Sequence, residues 1–297
     1  MKIRANGIGI EIEDTGPGLN GQERPVVLLI MGLGMQLVAW PDAWVQSLVD
    51  AGFRVLRLDN RDAGLSDHMA SMGRPNIVWE AMKLRLGFSV NSPYSLQDMA
   101  NDALGVLDTL GIARAHIVGL SMGGMIAQRI ALSQPARALT LCSIMSSSGA
   151  RGLPQARAEV MRALLSRPDG RSAEAVENHY VNLFRVIGSP AYPTPEGSLR
   201  ERIRASAQRN FDPAGTLRQM AAIMADRGRA KLLAQVRTPT LVLHGRADPL
   251  VPFSHGEDTA RRIPGARLVA IDGMGHDLPP GALPQLLGPL ITHLHSA

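Results

Sequence analysis

Residues 115–124 read Ala-His-Ile-Val-Gly-Leu-Ser-Met-Gly-Gly. The apolar run at Ile117 and Val118 has the character of a strand buried on both faces. It breaks into Gly119-x-Ser121-x-Gly123, after which Met125, Ile126, Ile130 and Leu132 give an apolar helical face. A serine between a strand and a helix is presented only by a very tight turn. Gly119 and Gly123 lack the side chains that would collide there, and strained backbone suits a functional position. The Met122 amide falls at a helix N-terminus, where unpaired N–H groups favour negative charge. A candidate nucleophile, Ser121, and one oxyanion donor thus come from adjacent residues. With 30 glycines in 297 residues the short pattern also arises by chance, so the rest of the chain decides its meaning.

Around this stretch the chain keeps one rhythm. Residues 2–13 alternate about Gly7 and predict an antiparallel hairpin at a sheet edge. Apolar strands follow at 25–30, 53–59, 115–120 and 138–145, separated by helical patterns near Trp44, Leu96 to Leu110 (N-cap Ser95, closed by Gly111) and Met125. This order predicts an α/β fold, a mostly parallel central sheet flanked by helices. From Ser146 to Gln235 strands give way to helical patterns, one opening on Asp212-Pro213. Strands return at 240–245 and 267–271. The division expected is a core of 1–145 and 236–297 with a helical cap inserted at 146–235, lying over the strand ends.

Composition narrows the class. Apolar residues make up 45% and charged residues 19%, a globular balance. The net charge of +5 is scattered arginine without interleaved aromatics, which predicts solvated helix surfaces and no nucleic-acid partner. Cys142 is the single cysteine, so an intramolecular disulfide is excluded. No signal-peptide pattern opens the sequence and no run reaches spanning length, which predicts a cytoplasmic protein without a membrane partner, as monomer or homodimer.

Three residues of chemical interest follow three separate strands: Ser121, Asp248 and His276. Strand C-terminal ends form the ligand crevice of open α/β sheets, so distant residues converge there. His276 is the expected general base toward Ser121, and Asp248 the carboxylate that orients the imidazole. The amides of Leu33 and Met122 are the expected oxyanion donors. Gly32, Gly34, Met35 and Met274 are expected to line the substrate crevice, with Phe184, Met220 and Met224 as candidates from the cap. His244, at a strand end, is the rival base. Asp59 is the rival acid, read here as fixing the turn Asn60–Ser66, with Arg61 as its partner. No metal-ligand cluster stands out.

The order Ser, Asp, His resembles that of the α/β-hydrolase superfamily, over essentially the whole chain. The segments that carry the resemblance are Met31–Gly34, Asp59–Ser66, Gly119–Gly124, Leu243–Pro249 and Gly273–His276. Within the superfamily the chain is similar to the capped serine esterases around aclacinomycin methylesterase. The resemblance implies hydrolysis of small-molecule esters through an acyl-enzyme, without metal or cofactor. In one respect the sequence departs: many relatives have His-Gly where this chain has Met31-Gly32, which keeps the backbone donor and loses the histidine. Serine at 121 leaves esterase, lactonase, C–C hydrolase and perhydrolase chemistry open. A ligand receptor on the same scaffold, which binds without turnover, is the alternative from another class.

Overall fold

Val26–Ile30 reads Val-Val-Leu-Leu-Ile, and all five residues are buried. Alternate side chains serve opposite faces. Val27 and Leu29 join Val118, Cys142, Trp44 and Leu286 in one core cluster, while Leu28 and Ile30 join Leu56, Ile117, Met99 and Ile126 in another. A strand buried on both sides requires helices on both sides, and the fold follows from that. In this computed structural model every residue except 19, 20, 22 and 171 is described.

The strands are β1 (Lys2–Ala5), β2 (Ile8–Asp14), β3 (Val26–Ile30), β4 (Arg54–Leu58), β5 (Ala115–Leu120), β6 (Ala138–Ile144), β7 (Thr240–Gly245) and β8 (Arg267–Ile271). They form one eight-stranded sheet in the order β1-β2-β4-β3-β5-β6-β7-β8. The hairpin β1–β2 and the pair β2–β4 are antiparallel. The five remaining pairings are parallel. Helices α1 (Asp42–Asp50) and α11 (Leu283–Leu294) cover one face. Helices α3 (Leu96–Thr109) and α4 (Met122–Ser133) cover the other. The helix α2 (Ile77–Arg85) stands between β4 and α3, and α10 (Ser254–Arg262) between β7 and β8. The expected N-cap Ser95 completes a capping box with Asp98.

Between β6 and β7 run α5 (Ala158–Leu165), α6 (Ala173–Ile187), α7 (Glu196–Arg209), α8 (Pro213–Ala225) and α9 (Arg229–Leu232). Asp212 caps α8 by accepting from the Ala214 amide, with Pro213 at the first helical position. Val181, Leu199 and Ile203 give this insert a small core of its own, flanked by Tyr180 and Phe184. Its C-terminal part belongs elsewhere: Ala222 and Leu233 pack in the main cluster with Ile117 and Ile126. Among the described residues no helix is long and apolar enough to cross a membrane.

Three arginines of the insert, Arg209, Arg218 and Arg229, depart from the expected solvated surface, while others such as Arg157, Arg162 and Arg204 are exposed as expected. Arg218 and Arg229 are 2% and 1% exposed. Arg218 grips Asp62 with two hydrogen bonds of 2.9 and 2.7 Å. Arg229 donates to Asp226, to Gln128 and to the Ser147 carbonyl. Arg209 reaches Asp59 across to the sheet. The guanidinium fork makes such buried two-point pairs feasible where lysine would not.

Candidate active site

Ser121 stands between β5 and α4 at φ 55° and ψ −118°, a conformation that strains any residue with a side chain. The surroundings enforce it. The Ser121 amide donates to the Ile144 carbonyl at 2.8 Å, and Ser146 Oγ donates to the Ser121 carbonyl at 2.7 Å. The flanking glycines leave no alternative. A Cβ on Gly119 would lie 2.1 Å from the Gly123 carbonyl oxygen, and one on Gly123 would lie 2.0 Å from that of Ile30. Ser121 itself is half-buried.

His276 reaches the serine from the loop after β8. Its Nε2 lies 3.0 Å from Ser121 Oγ, and its Nδ1 lies 2.6 Å from Asp248 Oδ2. A carboxylate only accepts, so Nδ1 carries the proton and the Nε2 lone pair faces the hydroxyl. Asp248 is itself held in place. Its Oδ1 accepts from the amides of Leu250 and Val251 at 2.9 and 2.8 Å. Both His276 and Asp248 are buried, at 6% and 4% exposure, where water competes little for these bonds. The structure thus brings together the three residues that the sequence singles out.

The rival base has another arrangement. His244 Nε2 donates to the Val251 carbonyl at 2.7 Å, and its Nδ1 faces Gly256 with no partner among the described residues. Burial holds its pKa below the ordinary histidine range, against the pull of Asp248. Neither nitrogen is available to Ser121. The rival acid fixes a turn, as read from the sequence. Asp59 accepts from the amides of Leu37 and Leu65 and through its carbonyl from Ser66 Oγ. Its cation, however, is Arg209, while Arg61 pairs with Asp102.

The loop after β3 lies against the serine: a Cβ on Gly32 would stand 3.2 Å from Ser121 Cβ. Asn60 Nδ2 donates to the Met31 carbonyl at 2.9 Å and fastens the start of this loop. The Met31 side chain, where many relatives have histidine, is 2% exposed and packs in the core. Leu33 and Met35 are half-buried. The Leu33 and Met122 amides donate to no protein acceptor among the described residues. Two of the expected crevice residues are engaged otherwise. The Gly34 amide donates to Gln219 Oε1 at 2.8 Å, and a Cβ there would meet Thr216 Oγ1 at 2.8 Å. Met274 is wholly buried in the core with Trp40 and Leu278. Met122 likewise turns its side chain into the core and offers the site only its amide.

The insert also holds the histidine loop, which sequence reasoning missed. The His276 amide donates to the Ile187 carbonyl at 2.7 Å, at the end of α6. Ser189 Oγ accepts from the Gly275 amide at 2.9 Å and donates to Asp277 Oδ1 at 2.5 Å. Burial raises the Asp277 pKa, and Ser189, His276 and Arg202 oppose that rise. Among the described residues one group of side chains has the spacing of metal ligands: Asp62, His68 and Asp212. Arg218 already bonds both carboxylates, so the cluster is a hydrogen-bonded network closed by a guanidinium.

The comparisons with known proteins agree with this architecture. Residues 25–280 match the family model described as alpha/beta hydrolase fold. Rhodomycin D methylesterase DauP of Streptomyces sp. (strain C5) is 32% identical over 292 residues, 91% of each chain. Rhodomycin D methylesterase DnrP of Streptomyces peucetius is 31% identical over 301 residues, 94% of each chain. Among solved structures, a meta-cleavage product hydrolase from Pseudomonas fluorescens IP01 superposes with a TM-score of 0.75 at 22% identity, covering 100% of this chain and 97% of that one. The architecture, the family match and the full-length relatives agree: the chain belongs to the α/β-hydrolase fold family.

Proposed function

We propose that this chain is a serine esterase that cleaves carboxylic esters of apolar small molecules, methyl esters among them, through an acyl-enzyme. The observation that carries the reading is the relay Asp248–His276–Ser121, with contacts of 2.6 and 3.0 Å, ending on a serine held at positive φ. Similarity to two rhodomycin D methylesterases over more than nine-tenths of the chain favours the ester, and a methyl ester, over the other bonds open to this nucleophile.

In the proposed reaction Ser121 Oγ bonds to the ester carbonyl carbon while His276 Nε2 takes its proton. The oxyanion is met by the Leu33 and Met122 amides, the second at the N-terminus of α4. The tetrahedral adduct collapses, the C–O bond to the alcohol breaks, and the alcohol leaves with the proton from Nε2. A water then adds to the acyl carbon and gives a proton to Nε2. The bond to Oγ breaks, Oγ regains the proton, and the carboxylic acid departs. Asp248 stays ionised throughout and stabilises the imidazolium. Residues 146–235 act as a cap over this crevice, with Leu33 and Met35 as apolar wall. These two favour uncharged acyl groups.

The test is turnover of a matched series of methyl and nitrophenyl esters by the intact chain and by Ser121→Ala. Sustained turnover by the intact chain, falling by on the order of 10⁴ or more in the variant, is the expected result. A single stoichiometric burst without turnover would support the receptor reading instead, and near-normal turnover by Ser121→Ala would remove the serine mechanism.

A further inference from the structure

Helix α2 is apolar on two opposite sides. At about 100° per residue, Ile77, Glu80 and Leu84 share the side that packs against α8. Val78, Met82 and Leu86 follow one another at i, i+4 and i+8 on the opposite side, with Trp79 beside them. These four are 74%, 47%, 67% and 54% exposed, and Phe88, on the turn that follows, is 61% exposed. Scattered single apolar residues on a surface mean little, but five together approach the largest patch of a typical monomer, about 300–600 Å². Arg227 donates to the Gly87 and Phe88 carbonyls and so holds the turn that displays Phe88.

The exposed charge carried by residues 69–93 has one sign. Glu80 is the only acid among residues 69–93. Both of its oxygens accept from Lys83, and one also accepts from the Asn91 amide. Arg74 and Arg85 are exposed and form no ion pair among the described residues. A second copy docked on the same face would bring such arginines together with no acid to meet them. An anionic surface meets them directly, and apolar side chains rimmed by cations are the composition of an interfacial helix.

We propose that the outward face of α2 docks on an anionic lipid surface, with Trp79, Met82, Leu86 and Phe88 at the acyl boundary and Arg74 and Arg85 among the headgroups. This revises the expectation of no membrane partner, since such a helix lies on the bilayer and does not span it. The placement has a consequence for the site. Helix α8, on which α2 packs, carries Thr216 and Gln219 onto the Gly34 loop. Docking sets this edge of the crevice against the phase in which apolar esters concentrate. That consequence rests on the esterase reading; the docking itself does not.

The chain carries its own probe. Trp40 and Trp44 are wholly buried, so Trp79 alone reports on the surface. The full chain is titrated with vesicles of phosphatidylcholine alone and of phosphatidylcholine with phosphatidylglycerol, and Trp emission and iodide quenching are followed. The expected result is a blue shift and protection from iodide with the anionic vesicles, reversed by salt. Arg74→Gln and Arg85→Gln should each weaken partitioning about fivefold. Met82→Asp with Leu86→Asp should abolish it, while hydrolysis of a short water-soluble ester stays unchanged. The Ser121→Ala chain should bind vesicles like the intact one, so a failure of the esterase reading remains distinguishable. No shift with either vesicle overturns the proposal, as does an equal shift with both. A blue shift without vesicles, together with doubling of the mass in solution, also overturns it and assigns the face to a second copy.

Discussion

Ser121, Asp62 and Met145 have φ of 55°, 65° and 44°, and each follows the C-terminal end of a strand, β5, β4 and β6 respectively. Strain of this kind costs on the order of 1–3 kcal/mol per residue and persists only where neighbours over-determine it. At Ser121 the neighbours are Ile144 and Ser146. At Asp62 they are Met69, Tyr94 and Arg218. Ser121, Asp248 and His276 are legible in the sequence because each follows an apolar run and each residue type has a chemical reason to be there. Ser189 is not legible. It lies 86 residues before Gly275, acts through one hydroxyl, and no spacing distinguishes it from the other serines. The Ile187 carbonyl leaves no trace in residue type at all. Ser189 positions the histidine loop and does not react, so its removal should act on geometry alone. Ser189→Ala is expected to keep the fold and lower kcat/KM by about tenfold or more, far less than Ser121→Ala, because a small misplacement of the base weakens proton transfer. Ser189→Thr, which keeps the hydroxyl, should recover most of the loss. Wild-type kinetics in Ser189→Ala, measured on the ester that the intact chain turns over best, would show the clasp to be idle.

At the scale of elements, α8 carries several of the ties between the insert and the sheet. Gln219 donates to the Arg61 carbonyl and accepts from the Gly34 amide, and Arg218 donates to Asp62, Asp212 and the Gly73 carbonyl. The start of this helix is readable from Asp212-Pro213, and the strand rhythm is readable because a buried parallel strand leaves an unbroken apolar run. The partners of the insert's arginines are not. A guanidinium in a sequence looks the same whether water or a buried carboxylate receives it, and the choice is made by tertiary packing. The same reason places Ala222 and Leu233 in the main core although they precede the expected boundary at residue 235. Breaking the Arg218–Asp62 pair from one side leaves a buried charge without its partner, at a cost of about 3–5 kcal/mol. Arg218→Met should therefore lower the urea midpoint strongly without changing the slope of the transition. Replacing both partners, Arg218→Met with Asp62→Leu, should restore a large part of the loss, since the apolar pair needs no compensation. A double variant no more stable than the single one would mean that Asp62 matters through Tyr94 and the Met69 amide instead.

The whole molecule presents its buried histidines to acid as one system. His116 lies on the central strand β5 at 2% exposure, with Nδ1 2.9 Å from Thr140 Oγ1 and its ring edge-on to Phe53. Burial, with smaller contributions from His293, His295 and Arg114, lowers its pKa from 6.5 to about 4. Burial likewise lowers His244 and His293. In each case the folded chain disfavours the proton that the unfolded chain accepts. Between the unfolded value near 6.5 and the folded value near 4 the unfolded state binds more protons, so stability is present above that window and is lost as the pH falls through it. For His116 alone the loss between pH 7 and pH 5 is about 2 kcal/mol. Asp59, Asp102 and Asp277, raised by burial, work in the opposite sense at the acid end, where the folded chain takes up their protons first. Over the interval from pH 7 to pH 5 the lowered histidines pull stability down. Urea unfolding followed at pH 7, 6 and 5 should show a stability that falls steadily. The His116→Asn chain, less stable at pH 7 through lost packing against Phe53, should show a shallower fall over the same interval. Parallel curves for the two chains would mean that His116 takes its proton in the folded state and that the acid response lies with His244 and His293.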